Sequence, residues 1–178
     1  MNRILVIGSA GAGKSTLSRQ LSEQLNLPII HLDRHYWQPH WVPTPDEEWD
    51  RFVIEAAERE QWIMDGNYSR TLDLRLQRAD TVIFLDMSRW LCMYRIVERR
   101  IKYHGKTRPD LHEECPEKLD WAFFNWVWNY KKRTRARVMG KLQILHHQKQ
   151  IIILKTRKQV KDYLRSVSPR PIQGLRNE

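Results

Sequence analysis

The chain has 178 residues, a hydrophobic fraction of 41% and a formal net charge of +10. That length fits one domain with a sizeable core that needs no disulfides. No stretch approaches the roughly 18 consecutive apolar residues of a membrane-spanning helix, and the first apolar run is too short for a secretory leader. Cys92 and Cys115 have no C-x-x-C spacing, which argues against a zinc ribbon and for a reducing, cytoplasmic setting. Residues 1–90 carry 10 Lys and Arg against 13 Asp and Glu, whereas residues 91–178 carry 21 against 8. The second half, with its surplus of +13, suits a polyanion such as nucleotide phosphates or nucleic acid.

The first predicted element is a buried strand, Ile4-Leu5-Val6-Ile7. It runs into Gly8-Ser9-Ala10-Gly11-Ala12-Gly13-Lys14-Ser15-Thr16, which fits G-x-x-x-x-G-K-[ST] at every fixed position. Leu17 and Leu21 then begin a helical stripe. Strand, glycine loop and helix in that order form a phosphate cradle. Glycines let the backbone N–H groups converge on one phosphate chain, and the helix adds its positive end. Lys14 can reach the β- and γ-phosphates, and the Ser15 hydroxyl can join a Mg²⁺ shell.

Four more apolar runs read as strands: Ile29–Leu32, Trp62–Met64, Thr81–Leu85 and Ile151–Leu154. Helical patterns lie between them. The alternation predicts an α/β fold with an open parallel sheet, whose ligands gather at the C-terminal strand ends. Asp33 follows the second strand. It can bind an acceptor hydroxyl, act as its base or contact magnesium-bound water; capping, or a salt bridge to Arg34, is the structural alternative. Tyr36, Trp37 and Trp41 come next as acceptor-site candidates. Thr44 then reads as a helix N-cap, Pro45 as the first helical residue and Glu47 as the closure of a capping box. Trp49, Phe52, Val53, Ala56 and Ala57 mark the buried face of that helix. Asp65, after the third strand, can hold Mg²⁺ directly or through water. Asp86, after the fourth, precedes Met87-Ser88 and reads as a helix cap.

A helix is predicted over 89–104, with Arg95 and Arg99 on one face and Arg100 beside them. Residues 105–117, including Arg108, read as a loop. The longest helix is predicted over 118–142. Its aromatic first half, Trp121 to Tyr130, is expected to be mostly core. In its basic second half Arg133 and Arg137 repeat the four-residue spacing. Arginine pairs on both sides of a loop suit closure over a triphosphate, where one arginine is worth roughly 10³–10⁵ in rate. A short terminal helix follows the last strand. The histidines show no convincing metal-ligand spacing.

Asp65-Gly66-Asn67-Tyr68 resembles the D-G-F-P segment of adenylate kinases, and Arg95-Ile96-Val97-Glu98-Arg99-Arg100 resembles their R-x-x-x-R-R helix before the lid. The resemblance is to the nucleoside-monophosphate-kinase-like branch of P-loop kinases. It implies that Arg95 and Arg99 contact the triphosphate or the transferring phosphoryl group. It draws Arg133 and Arg137 from the helix after the lid, and sets Arg70 at an acceptor phosphate, one residue later than the family spacing. His31-Leu32-Asp33, Trp37, the Trp62–Tyr68 run, Phe84-Leu85-Asp86 and Cys115-Pro116-Glu117 resemble the bacterial DNA topology modulation proteins over nearly the whole chain. That resemblance implies a three-layer P-loop NTPase fold with a five-stranded parallel sheet of order 2-3-1-4-5 and a small helical lid. The organisation expected is a single domain over 1–165, with an acceptor-binding segment at 34–61 and the lid at 102–118. Residues 166–178 are expected to form a flexible tail. The segment after the second strand departs from the usual adenylate-binding helix, and the lid lacks four cysteines.

The expected activity is Mg²⁺-dependent phosphoryl transfer from ATP to a nucleotide or small-molecule acceptor. Lys14, Asp33, Arg95, Arg99, Arg133 and Arg137 would serve the chemistry. Gly8, Ser9, Ala10, Gly11, Ala12, Gly13, Lys14, Ser15 and Thr16 would hold ATP. Ser15 and Asp65 would hold the metal. Asp33, Arg34, Tyr36, Trp37 and Arg70 would hold the acceptor. The alternative is a nucleotide-regulated, DNA-associated protein, for which the basic second half is the motive. A GTPase switch ranks third: there is no N-K-x-D motif, and Asp65-Gly66-Asn67 lacks the D-x-x-G spacing.

Overall fold

Five short, almost wholly apolar runs become the strands of one parallel sheet: β1 (Arg3–Gly8), β2 (Ile29–His31), β3 (Trp62–Asp65), β4 (Thr81–Leu85) and β5 (Gln150–Leu154). Their spatial order is 2-3-1-4-5, as expected. The computed structural model describes residues 1–105, 111, 112 and 114–167. Arg108 and residues 168–178, which hold most of the expected tail, lie outside the described residues.

The strand interiors are apolar because helices cover both faces. On one face Leu5, Ile7, Met64, Val82 and Phe84 meet Trp49 and Val53 of α3 (Asp46–Glu58), Leu72 and Leu76 of α4 (Leu72–Arg78), and Leu142 of α7 (Ala136–Leu145). On the other, Ile4, Val6, Ile63, Ile83 and Leu85 meet Leu17 and Leu21 of α1 (Lys14–Leu25), Cys92 and Ile96 of α5 (Arg89–Lys102), and Val127 of α6 (Trp121–Tyr130). A last helix, α8 (Arg157–Ser166), follows β5. The parallel register sets Val6 beside Asp65 and Gly8 beside Leu85. The glycine loop, Asp65 and Asp86 therefore leave the sheet at one edge.

Four local expectations change. β2 ends at His31, and Leu32 opens a short helix, α2 (Leu32–Tyr36). Thr44 does not cap α3; its hydroxyl turns back to donate to the carbonyls of His35 and Tyr36 at 3.0 and 2.9 Å, and Pro45 takes the cap position. Asp86 does not cap α5, because the Ser88 hydroxyl accepts from the Leu91 N–H instead. The long helix starts at Trp121, capped by Asp120, and passes through a π-helical turn at Lys131–Arg135 before α7. Its aromatic half is core only in part: Val127 and Tyr130 are buried, while Trp121 and Trp126 are exposed.

Candidate active site

The phosphate loop spans the gap between β1 and α1 in a conformation that only glycine adopts freely. Gly8, Gly11 and Gly13 have φ of 149°, 74° and 99°. A Cβ on Gly11 would lie 2.5 Å from the Cys92 carbonyl oxygen, and one on Gly8 would lie 2.7 Å from that of Leu85. The loop is thus pressed between β4 and the start of α5. Gly11→Ala is expected to lower stability by about 1–3 kcal/mol, since overpacking and backbone strain act together. It is also expected to weaken nucleotide affinity at least about tenfold. Thermal unfolding and titration with a non-hydrolysable ATP analogue check both.

Two side chains fasten this loop from outside. Asn67 holds Gly8 by both backbone groups: its Oδ1 accepts from Gly8 N–H at 3.1 Å, and its Nδ2 donates to Gly8 O at 2.7 Å. Arg95 of α5 donates to the carbonyls of Gly11 and Ala12 at 3.2 and 3.1 Å. Carbonyls of Gly11 and Ala12 bound outward in this way favour a loop whose backbone N–H groups turn inward toward phosphate oxygens. Burial, aided by the charge of Arg157, pulls the Arg95 pKa below its ordinary value.

Lys14 opens α1, and its Nζ donates to Ser9 O at 3.2 Å, across the loop. Burial lowers its pKa, and the negative charges of Asp33 and Asp65 oppose that shift. These two carboxylates, Asp65 at the end of β3 and Asp33 in α2 just past β2, have different partners. Asp65 is 4% exposed; its Oδ1 pairs with His31 Nδ1 at 2.9 Å, and its buried Oδ2 has no hydrogen-bond partner among the described residues. Asp33 accepts the Tyr68 phenol at 2.7 Å on Oδ1 rather than bridging to Arg34. Burial, with the charge of Asp33 next, raises the Tyr68 pKa, so the phenol stays a donor.

Tyr68 leans on Tyr36 and Trp49, with ring centroids 4.6 and 4.8 Å away, and Trp37 meets Tyr36 edge-on at 4.9 Å. Arg34 is exposed on α2. The 66–71 turn that carries Asn67 and Tyr68 is held from beneath by Arg75. This guanidinium is 0% exposed and donates to the carbonyls of Gly66, Asn67, Tyr68 and Thr71 at 2.6–3.3 Å. Burial pulls its pKa down to about 9, which still leaves it charged at neutral pH.

The remaining arginines distribute differently from their sequence spacing. Arg99 donates to the buried Glu117 at 2.8 Å. Arg133 and Arg137 are exposed. Arg135, between them, makes a bidentate pair with Asp86 at 2.8 Å per contact, because the π turn alters the register of this helix. Arg70 reaches Asp50 and Asp46 of α3, at 2.8 and 2.9 Å. Residues 114–116 bind the 38–41 segment: His40 N–H donates to Glu114 O at 3.1 Å, Trp41 Nε1 to Pro116 O at 3.0 Å, and Cys115 Sγ to Gln38 O at 3.2 Å.

The structure thus gathers Lys14, Asp33, Asp65 and Arg95 around the loop and leaves Arg34, Arg133 and Arg137 on the surface. Sequence reasoning missed the roles of His31, Asn67, Tyr68, Arg75 and Arg135. Arg75 carried a readable signal, since Leu72, Arg75 and Leu76 fall on one helical face. Among the described residues, no helix is long and apolar enough to cross a membrane.

No protein-family model matches the chain. A Bacillus subtilis (strain 168) protein named "Uncharacterized protein YqaC" is 25% identical over 138 residues, covering 75% of this chain and 78% of that one. A "Putative adenylate kinase" of Methanocaldococcus jannaschii is 26% identical over 130 residues, covering 66% and 68%. Among solved structures, a gluconokinase from Sinorhizobium meliloti 1021 is similar with a TM-score of 0.52 and 16% identity, over 92% of this chain and 87% of that one. A shikimate kinase from Bacteroides thetaiotaomicron gives 0.50 and 20%, over 92% and 94%. The chain has the α/β fold of P-loop kinases, with a five-stranded parallel sheet and a phosphate loop at its C-terminal edge.

Proposed function

We propose that this chain transfers a phosphoryl group from ATP to a hydroxyl-bearing acceptor in a Mg²⁺-dependent reaction. The observation that carries the reading is the setting of Lys14: the lysine of a phosphate loop lies in the field of two carboxylates with separate environments. The loop N–H groups and Lys14 bind the β- and γ-phosphates. Asp33, oriented by the Tyr68 phenol, accepts the acceptor's proton. The buried Asp65 Oδ2, with the Ser15 hydroxyl, gives hard oxygen donors that fit Mg²⁺. When bound, that ion would neutralise phosphate charge and orient the triphosphate. Arg95 keeps the loop in shape, and Arg99, on the same helix, is the candidate for the transferring group. Around the whole site, the Trp62–Tyr68 and Cys115–Glu117 segments support placement near the topology modulation proteins.

Asp33→Asn removes the base and keeps the hydrogen bond to Tyr68. It is expected to reduce transfer by about 10²–10⁴-fold while ATP-analogue affinity changes less than about threefold. Parallel turnover and binding assays check this. An unchanged turnover would move the base elsewhere.

A second reading is DNA association, favoured by one observation: Lys131, Lys132, Arg133 and Arg137 are exposed on consecutive turns of one helix. Duplex binding that weakens steeply between low and high salt is the expected result. No binding at low ionic strength would remove this reading.

A further inference from the structure

The acceptor wall differs in charge from the nucleotide side. Residues 34–61 hold three arginines against seven Asp and Glu, a net of −4, inside a chain of net +10. Two cations near this wall, Arg70 and Lys118, are engaged by neighbouring side chains. Arg70 is gripped by both Asp46 and Asp50, and hydrogen bonding to Arg70 lowers the Asp50 pKa. The trio keeps a net charge of −1, so this corner repels a phosphate instead of attracting one. Lys118 lies over the Trp41 ring, 5.0 Å from its centroid. Arg34 follows Asp33 on α2, so its side chain is turned about 100° away around the helix, and it is exposed. His35 stacks on Phe52 at 4.3 Å; burial, and after it the charge of Arg34, lowers its pKa. The wall itself presents the Asp33 carboxylate, the Tyr68 phenol and the half-buried rings of Tyr36 and Trp37.

A carboxylate and a phenol beside aromatic faces bind a neutral polyol well: its hydroxyls meet the polar groups and its C–H faces meet the rings. A phosphate dianion there would face Asp33 and Asp65, while Arg70 is held by Asp46 and Asp50 and Arg34 is turned away from Asp33 around α2. We infer that the acceptor is a small, uncharged polyhydroxy compound, such as a nucleoside or sugar alcohol, and not a phosphate monoester. The inference rests on the phosphotransferase reading and sharpens its acceptor. In the reaction, the acceptor hydroxyl oxygen forms a bond to the γ-phosphorus. The bond from that phosphorus to the β–γ bridging oxygen breaks, and ADP leaves. The hydroxyl proton passes to the Asp33 carboxylate and then to solvent.

The test uses the full chain with a non-hydrolysable ATP analogue and a panel of nucleosides and sugar alcohols, each beside its own monophosphate. Titration calorimetry should find at least one neutral member bound, at least tenfold more tightly than its monophosphate. The double variant Asp46→Asn/Asp50→Asn frees Arg70 by removing both carboxylate charges that hold it. It should improve monophosphate binding at least fivefold and leave the neutral partner within twofold. Tighter binding of the monophosphates to the natural chain would overturn the inference, as would binding of neither class while the ATP analogue binds, or a double variant without effect on monophosphates. Binding of a neutral member without phosphate-ester formation from ATP would sink the phosphotransferase reading alone and leave the ligand class standing.

Discussion

Lys14→Ala is expected to leave a folded protein whose phosphoryl transfer falls by at least about 10³-fold. The argument is electrostatic. On the proposed function, Lys14 is the cation that meets the phosphate chain, in a site where burial strengthens each charge interaction. Removing one preorganised donor to a developing anion costs about 10²–10³ in rate by itself. Here the loss is larger, because Asp33 and Asp65 would then face the incoming triphosphate without the positive charge of Lys14 to offset them. Affinity for the ATP analogue should fall as well. Turnover with saturating ATP, beside a circular-dichroism control for folding, checks the prediction. Turnover within tenfold of the natural chain would show that the loop does not position the transferred group.

Arg75→Met is expected to carry the largest stability cost of any single change at the site, about 3–5 kcal/mol. The guanidinium is wholly buried and hydrogen-bonds four carbonyls of the 66–71 turn. Methionine fills much of the volume but leaves those carbonyls unsatisfied, and buried acceptors without donors are costly. For a domain of this length that corresponds to roughly 6–20 °C in melting temperature. The loss should extend to function. The turn carries Asn67, which clamps Gly8, and Tyr68, which orients Asp33. Nucleotide affinity should therefore weaken even below the melting transition. Arg75→Lys, with fewer donors in a different geometry, should recover only part of the stability. A melting temperature within two or three degrees of the natural chain for Arg75→Met would contradict the role given to this residue.

The parts legible in the sequence were those fixed by short-range pattern. Apolar runs bounded by turn residues placed all five strands, and the spacing of Gly8, Gly11, Gly13 and Lys14 marked the phosphate loop. The placement of Asp33 and Asp65 beside the loop was legible because the strands of a parallel sheet end at one edge. What escaped was set by long-range partners. Thr44 has the sequence of a cap, yet its hydroxyl has closer acceptors in the His35–Tyr36 turn. Arg133 and Arg137 have helical spacing, but one π turn brings Arg135 to Asp86 instead. Arg70 has the type and place of a phosphate ligand, and only the fold reveals the two carboxylates that occupy it. Asn67 was visible as part of a motif, while its grip on Gly8 depends on the pairing of β1 with β3.

The most direct test of the central claim is product analysis by ³¹P NMR after incubation with ATP, Mg²⁺ and the neutral acceptor panel. The account predicts a new phosphate-ester resonance that grows in step with ADP and is lost in Lys14→Ala and Asp33→Asn. ADP accumulating only with inorganic phosphate, or ATP left intact across the whole panel, would contradict it.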